Sequence, residues 1–232
     1  MKMLAVYPFS NQENRIQPLF KFLHKELPGL FSEVLFINEM SHDQSLHVIN
    51  LEIERLTVPS RIMESPNRSS SFSAAIEYAN SRDFEFVTFI HEGWEDTIVE
   101  IINIIKSFEY KNYDLVIGVR STRDYSFGAF FDFTTKMIYS LMSKKKCYEV
   151  KCDSINILKV SSLNHIKLSS LIKLNSNFFL IVLYSFLKNK KEILYTDLDN
   201  GLNSSSYVKL NTKRFLNSIK CLFTYKTYEI QD

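Results

Sequence analysis

Glycine is scarce in this sequence, with only five residues among 232. Phosphate-binding loops of the P-loop and dinucleotide-binding kinds need closely spaced glycines, because the backbone must approach the phosphate without side chains in the way. No such loop occurs anywhere in the chain. This absence excludes the P-loop and dinucleotide-binding classes. It also argues against a nucleotidyltransferase, which would need a glycine-rich, lysine-containing loop near the N-terminus.

Cysteines and long apolar runs are also few. The three cysteines, Cys147, Cys152 and Cys221, lack metal-site spacing. An odd count without a signal peptide favours a reducing compartment, so we expect a cytoplasmic protein. The longest apolar stretch, Phe178–Leu187, has roughly half the length that a bilayer span requires. It is either a buried helix, which its length favours, or a segment lying at a membrane interface.

Excess charge of one sign is absent as well, since the net charge is only +2. That balance gives no reason to expect nucleic-acid binding. Lysines are nevertheless crowded into the second half of the chain. They form either an ordinary solvated face or a surface for an anionic ligand or membrane.

The chain does contain a regular alternation of apolar runs and amphipathic helix patterns in its first half. Because continuous apolar runs are typical of strands covered on both faces, we predict an α/β fold with a mainly parallel central sheet and helices on both faces. Asn11 is expected to cap the first helix. The predicted strands are Met3–Tyr7 (ended by Pro8), Val34–Ile37, Arg61–Met63, Phe86–Ile90 and Leu115–Val119.

The alternation becomes irregular after Arg120. We predict two further strands there, Ser154–Val160 on another sheet edge and Ile193–Leu198. Helix patterns are expected over 131–144, 165–173, 178–187 and 212–223, and an earlier one links the fourth and fifth strands. No linker or repeat divides the chain, so a single domain over 1–232 is expected.

Polar clusters follow four successive predicted strands. In a parallel sheet the carboxyl ends of the strands meet at one edge, so these clusters are expected to converge on one pocket. The alternative is that they are ordinary polar loops, which any α/β protein has. The clusters are 11–13, Asn38-Glu39, Asn67-Arg68 and His91-Glu92.

The order of these motifs resembles the family 2 glycosyltransferases of GT-A fold, and among them the polyprenyl-phosphate sugar transferases of the dolichyl-phosphate mannose synthase type. Residues 8–14 (PFSNQEN) resemble the opening P-x-x-N-E-x-N, and residues 36–43 (FINEMSHD) occupy the place of V-D-D-G-S-x-D. Asn67 matches N-x-G-x-x-x-A-x, with Ser69 in place of the glycine. Residues 116–120 (VIGVR) resemble V-x-G-S-R, and residues 200–204 (NGLNS) resemble R-x-x-G-x-S without its arginine.

The resemblance implies an inverting sugar transfer from a UDP- or GDP-linked donor to a lipid-phosphate or glycan acceptor, in cell-surface polysaccharide or glycolipid synthesis. It implies a nucleotide-sugar-binding half over 1–120 and an acceptor-binding half over 121–232. Asn38 stands where the family's aspartate helps to hold the base, and the guanidinium of Arg120 would meet a phosphate. The implied nucleotide-binding residues are Pro8, Asn11, Glu13, Asn38, Glu39, Asn67 and Arg120.

One departure concerns the Asp-x-Asp that holds a divalent cation in this family. His91, Glu92 and Gly93 occupy its place, so Mg²⁺ or Mn²⁺ would have to be held by His91 and Glu92. Glu92 is equally well read as a metal ligand or as a solvated loop residue. Glu95 and Asp96 fall in the first turn of the next helix, where acids complement the helix dipole.

The acceptor decides which further residues the reaction needs. A polyprenyl phosphate is already an anion and needs no general base, whereas a sugar hydroxyl needs a carboxylate, for which Glu92, Asp96 and Asp153 are candidates. Contact with a lipid would be peripheral, at the inner face of the membrane, through residues 127–133. The rival hypothesis is a catalytically inactive relative that binds a protein partner or a glycan.

Overall fold

The structure, a computed structural model, describes residues 2–26, 29–66, 68–90, 113–120, 155–160 and 190–195. These residues form seven strands and three helices. The strands are β1 (Met3–Phe9), β2 (Glu33–Asn38), β3 (Ser60–Glu64), β4 (Phe86–Phe89), β5 (Leu115–Arg120), β6 (Ile155–Lys159) and β7 (Lys190–Tyr195). The helices are α1 (Glu13–Glu26), α2 (Ser45–Ile53) and α3 (Arg68–Ser81).

All seven strands belong to one sheet, in the order β3-β2-β1-β4-β6-β5-β7. Strand β6 runs antiparallel to both of its neighbours, and every other pairing is parallel. Six strands therefore point the same way, and β6 is inserted against them between β4 and β5. The mainly parallel sheet predicted from the sequence is confirmed.

Helices α1 and α2 cover one face of the sheet. The odd-numbered residues of β1 face them, because side chains alternate between faces along a strand. Met3, Tyr7 and Phe9 are fully buried there against the apolar stripe of α1, in which Leu19 and Phe20 are also buried. The ring of Phe20 stacks on Phe36 of β2, with centroids 5.4 Å apart.

Helix α3 covers the opposite face. Its inner side is apolar at helical spacing, and Phe72, Ala75, Ile76 and Ala79 are all buried. The ring of Phe72 contacts that of Phe89 in β4 at a centroid separation of 4.3 Å. The chain therefore folds as an α/β domain with helices on both faces of the sheet.

Two predictions about the strands are wrong. Pro8 does not end β1, which continues to Phe9. The carbonyl of Phe9 accepts the N–H of Glu39 on the β2 side of the strand. The backbone nitrogen of Pro8 therefore faces the β4 side, where the pairing with β4 has already ended at Val6. Its missing N–H therefore breaks no ladder.

The second error concerns the strand predicted over Ser154–Val160. It forms as β6, but it lies inside the sheet rather than on an edge. Its pairing with β4 and β5 joins distant parts of the chain, and local patterns do not report such pairing. The helix predictions over 131–144, 165–173, 178–187 and 212–223, and the one between β4 and β5, lie outside the described residues.

No helix in the described part of the chain is long and apolar enough to span a membrane.

Candidate functional site

The strand order places a topological switch point between β1 and β4. From β1 the chain moves outwards through β2 to β3, and it then returns to form β4 on the other side of β1. The loop after β1 leads to α1 on one face, whereas the chain reaches β4 from α3 on the other face. Open α/β sheets bind ligands at such a switch point, outside the carboxyl ends of the strands.

The four polar loops predicted to converge do follow parallel neighbours, because β1 pairs in parallel with β2 and β4, and β2 with β3. Pro8 and Asn38 lie at the ends of their strands on this edge. Asn11 and Glu13 lie at the start of α1, and Glu39 follows β2 directly and donates its N–H to the carbonyl of Phe9 at 2.8 Å.

The loops after β1 and β2 are joined by hydrogen bonds, an arrangement that we call the loop latch, formed by residues 11–13 and 41–45. Asn11 accepts the N–H of His42 through Oδ1 at 2.8 Å and donates its own N–H to Ser41 Oγ at 3.2 Å. Asn11 is left-handed, with φ of 53°, a conformation that asparagine tolerates better than most residues. Its side chain binds the neighbouring loop, so the prediction that it caps α1 is wrong.

The N–H groups at the start of α1 are bonded instead by two side chains near the start of α2, Asp43 in the preceding loop and Ser45, the first residue of α2. Ser45 Oγ accepts the N–H of Gln12 at 2.7 Å, and Asp43 Oδ2 accepts that of Glu13 at 3.1 Å. Glu13 reciprocates, since its Oε2 accepts the N–H of Gln44 at 3.1 Å. Each helix start is therefore capped in part by a carboxylate from the other loop, and these N–H groups of α1 are already engaged within the protein.

The carboxyl group of Asp43 reflects this geometry. Partial desolvation acts to raise its pKa, but the hydrogen bonds from the Ser45 hydroxyl and from the N–H groups of Ser45 and Glu13 outweigh it. The net result is a pKa below the usual 3.8, because these donors favour the ionised form. The latch is thus built around a carboxylate that stays charged at neutral pH.

Asn38 ends β2 as a buried residue, with 3% of its surface exposed. Its Oδ1 accepts the N–H of Ser41 at 2.9 Å. Its Nδ2 donates to both carboxylate oxygens of Glu64, at 2.9 and 3.2 Å. The two residues are register partners at the ends of β2 and β3, and the side chain of Glu64 is exposed at the edge of the sheet. Both polar ends of the Asn38 amide thus have partners inside the protein.

The remaining predicted site residues are only partly covered. Arg120 is the last residue of β5, which runs parallel to β4 and so ends on the same edge of the sheet. Asn67, His91, Glu92, Asp96 and Asp153 lie outside the described residues. Strand β4 stops at Phe89, two residues before the predicted metal-binding pair in the sequence.

Among the described residues, no group of three histidine, cysteine, aspartate or glutamate side chains is arranged to hold a metal ion. Acids on the described part of the edge have protein partners, since Glu13 and Asp43 belong to the loop latch and Glu64 is held by Asn38.

Sequence reasoning missed Glu64, Ser45 and the capping role of Asp43. Glu64 could have been found, because it follows the short strand predicted at 61–63 just as Asn38 follows the strand predicted at 34–37. The latch offered no comparable signal, since it joins residues about thirty positions apart in the sequence.

Comparison with solved structures identifies the fold. Glucosyl-3-phosphoglycerate synthase from Mycobacterium tuberculosis, solved with Mn²⁺, UDP and glucosyl-3-phosphoglycerate, superposes with a TM-score of 0.64 at 10% sequence identity, covering 95% of this chain and 79% of that one. TarS from S. aureus, residues 1–349, superposes with a TM-score of 0.52 at 16% identity, covering 94% of this chain and 65% of that one. This is a GT-A glycosyltransferase fold.

The likeness lies in structure rather than in sequence. No protein-family profile matches the chain, and a search of curated proteins found no match. At identities this low the comparisons establish the fold alone.

Proposed function

We propose that this protein is a glycosyltransferase that moves a sugar from a nucleotide-sugar donor to a lipid-phosphate or glycan acceptor. The observation that carries the proposal is the switch point between β1 and β4 in a GT-A fold, whose superposition on a known glycosyltransferase covers 95% of this chain. A neighbour with this fold was solved with UDP-glucose and Mn²⁺, which supports a nucleotide-sugar donor.

The donor would lie along the carboxyl edge of the sheet, with its base over β2 and β3 and its diphosphate near the end of β4. The loop latch holds the two loops that would flank the nucleoside in one conformation. Binding would therefore not have to supply the free energy of ordering these loops. Arg120, two strands beyond β4, would meet a phosphate with its guanidinium fork. In this assignment 1–120 binds the donor and 121–232 binds the acceptor.

The donor atoms available for a divalent cation fit Mn²⁺ or Mg²⁺ only modestly. His91 and Glu92 supply one imidazole and one carboxylate directly after β4, and the donor's phosphates would supply further oxygens. His91 and Glu92 would therefore hold the ion. When bound, a divalent cation neutralises charge on a nucleoside diphosphate leaving group.

The chain's own residues would act mainly by positioning. A polyprenyl-phosphate acceptor is an anion at neutral pH, so the protein would need only to align it with the anomeric carbon and to exclude water. A hydroxyl acceptor would need a base, for which Glu92, Asp96 and Asp153 remain candidates. Whether the reaction requires a catalytic carboxylate therefore depends on the chemical class of the acceptor.

Calorimetry with UDP and GDP, with and without Mn²⁺, tests the proposal directly. We expect the wild-type protein to bind one of them in a metal-dependent way. We expect Glu92→Ala to lose that dependence, whereas Glu95→Ala, a matched change three residues later in the sequence, should retain it. Failure of both nucleotides to bind under any condition would sink the proposal.

A second candidate function is that of a catalytically inactive relative that binds a protein partner or a glycan. It is favoured by the missing Asp-x-Asp and by the internal hydrogen bonds that occupy the side chains of Asn11, Glu13 and Asn38. The same calorimetry separates the two, because an inactive relative of this kind would show no metal-dependent nucleotide binding. Either acceptor or partner would be expected to reach the protein from the cytoplasm, including the inner face of the membrane.

A further inference from the structure

The pair formed by Asn38 and Glu64 has an unusual balance of charge. Glu64 presents an exposed carboxylate at the carboxyl edge, and its partner in the described residues is the neutral amide of Asn38. No cation among the described residues pairs with it. A carboxylate has about four lone-pair positions, and the amide uses two of them. Each oxygen of Glu64 therefore keeps a position for a second donor.

The orientation of the Glu64 carboxylate is fixed by the buried amide of Asn38. Asn38 is held by the N–H of Ser41 through its oxygen, so its Nδ2 is directed at Glu64 and cannot turn away without breaking that bond. Register pairing of the two residues across β2 and β3 places both side chains on the same face of the sheet. The result is an oriented acceptor pair at the edge, and a neutral buried group does the orienting.

Its position suits the base of a donor nucleotide. Strands β3 and β4 are separated by β2 and β1, which at the usual strand spacing puts their ends about 14 Å apart. This is comparable with the length of an extended nucleoside diphosphate. With the diphosphate at the end of β4, the base reaches the end of β3, where Glu64 lies.

The chemistry of a carboxylate distinguishes the two bases in question. Guanine carries a ring N–H and an amino group side by side on one edge, and these two donors match the two oxygens of a carboxylate. Uracil offers one ring N–H between two carbonyl oxygens, which repel the second carboxylate oxygen. Hydrogen bonds to an ionised acceptor are also stronger than those to a neutral one.

We infer that Glu64 reads the base of the donor nucleotide and selects guanine over uracil, and that Asn38 is the positioning residue that orients it. The inference rests on the proposed function, since it names the donor class for the same site. In this inference the carboxylate that bonds the base lies at the end of β3, and the amide at the end of β2 holds that carboxylate in its orientation.

Calorimetric titration of GDP and UDP, each with Mn²⁺, tests this. We expect the wild-type protein to bind GDP more tightly than UDP. Glu64→Gln removes the charge but keeps the length of the side chain, and it should weaken GDP binding by roughly tenfold or more. UDP affinity should change much less, so the ratio of the two affinities collapses. Asn38→Leu should lower the same ratio because Glu64 loses its orientation.

The matched control is Glu54→Gln, which removes an exposed carboxylate just after α2, at the opposite edge of the sheet. It should leave both affinities unchanged. Partial unfolding of a variant would lower both affinities together and leave their ratio intact, so the ratio reports recognition alone.

The outcomes separate the two proposals. Tighter binding of UDP than of GDP by the wild type, or an unchanged ratio in Glu64→Gln, overturns the inference while the glycosyltransferase proposal stands. Binding of neither nucleotide by the wild type overturns both.

Discussion

Two glutamates on neighbouring strands, at opposite edges of the sheet, show how differently the same side chain can be used. Glu33 opens β2 at the amino edge and is 9% exposed. Its carboxylate accepts the hydroxyl of Tyr78 from α3 and lies 3.4 Å from Nε of Arg61. Glu64 closes β3 at the carboxyl edge, exposed, with the neutral amide of Asn38 as its partner. The first carboxylate is compensated and fastens a helix to the sheet, whereas the second is oriented and left charged.

This difference distinguishes structure from function at the level of a single group. A buried carboxylate needs a cation or several donors, because desolvation penalises an unpaired charge heavily. Glu33 has both, and Arg82 further lies over the ring of Tyr78 at 4.9 Å. Glu64 avoids that penalty by remaining exposed, and it thereby keeps acceptor capacity for a ligand.

The largest expected effect is on stability at the amino edge. Glu33→Ala leaves the Tyr78 hydroxyl and the Arg61 guanidinium without their shared acceptor, and should lower the free energy of unfolding by about 2 kcal/mol. Urea denaturation would measure it. Glu64→Gln is the counterpart at the other edge and should change stability by less than about 0.5 kcal/mol, as for an exposed position. Equal losses in both variants would remove the distinction.

The loop latch provides the next largest effect. Asp43→Ala removes the acceptor for the N–H groups of Glu13 and Ser45, and should cost about 1 kcal/mol, as lost helix caps do. Because the folded pKa of Asp43 lies below 3.8, its contribution is present above pH 3.8 and is lost as the pH falls through the lower folded value. Denaturation midpoints of the wild type and Asp43→Ala should therefore converge in acid. A constant gap down to the lowest pH would contradict the cap.

Tyr78 gives a pH dependence of the opposite sign at the amino edge. Burial, together with the hydrogen bond to Glu33 and its negative charge, raises the pKa of Tyr78 from its usual 10.0 to about 12. The neutral phenol is the form that the fold favours, so its contribution is present below pH 10 and is lost as the pH rises towards 12. Tyr78→Phe should flatten this part of the stability profile. Absorbance titration of both proteins would show whether one tyrosine with a raised pKa disappears.

The smallest effect is expected in the middle of the sheet. Thr88 of β4 is fully buried, and its hydroxyl has no hydrogen-bond partner in the part of the chain that the structure describes. Thr88→Val removes this group while keeping the shape, so stability should stay equal or rise slightly. Thermal denaturation is the measurement. A clear loss of stability would mean that the hydroxyl is bonded after all, and that interior polar groups here are compensated as Glu33 is.

How far the sequence predicts this molecule depends on how local each feature is. The five predicted strands of the first half form, and in β1, β2 and β4 the apolar runs directly report burial, whereas no residue of β3 is fully buried. The inner face of α3 follows from helical spacing. The position of β6 in the sheet could not be predicted in this way, since an apolar run does not indicate which strands it pairs with. The prediction that Pro8 ends β1 was wrong for a related reason. Whether a strand can contain a proline depends on where its neighbour stops pairing with it, and here β4 stops at the level of Val6.

The candidate site shows the same limit more sharply. The edge of the sheet was predictable from the parallel topology, and the loops after β1 and β2 do contact each other there. The partners of Asn11 and Asn38 were not, since both are bonded to residues far away in the sequence. Residue type suggested a helix cap for Asn11, and the family resemblance implied a base contact for Asn38. In the fold Asn11 joins two loops and Asn38 orients a carboxylate.

The insertion of β6 between β4 and β5 has a consequence for how the chain folds. Residues up to β4 can assemble the four strands β3-β2-β1-β4 as soon as they have been synthesised, but β4 keeps one unpaired edge until residues 155–159 arrive. An exposed strand edge is a template for pairing with other chains. Delayed synthesis between these two points should therefore favour aggregation of the nascent protein, whereas delay after β6 should not.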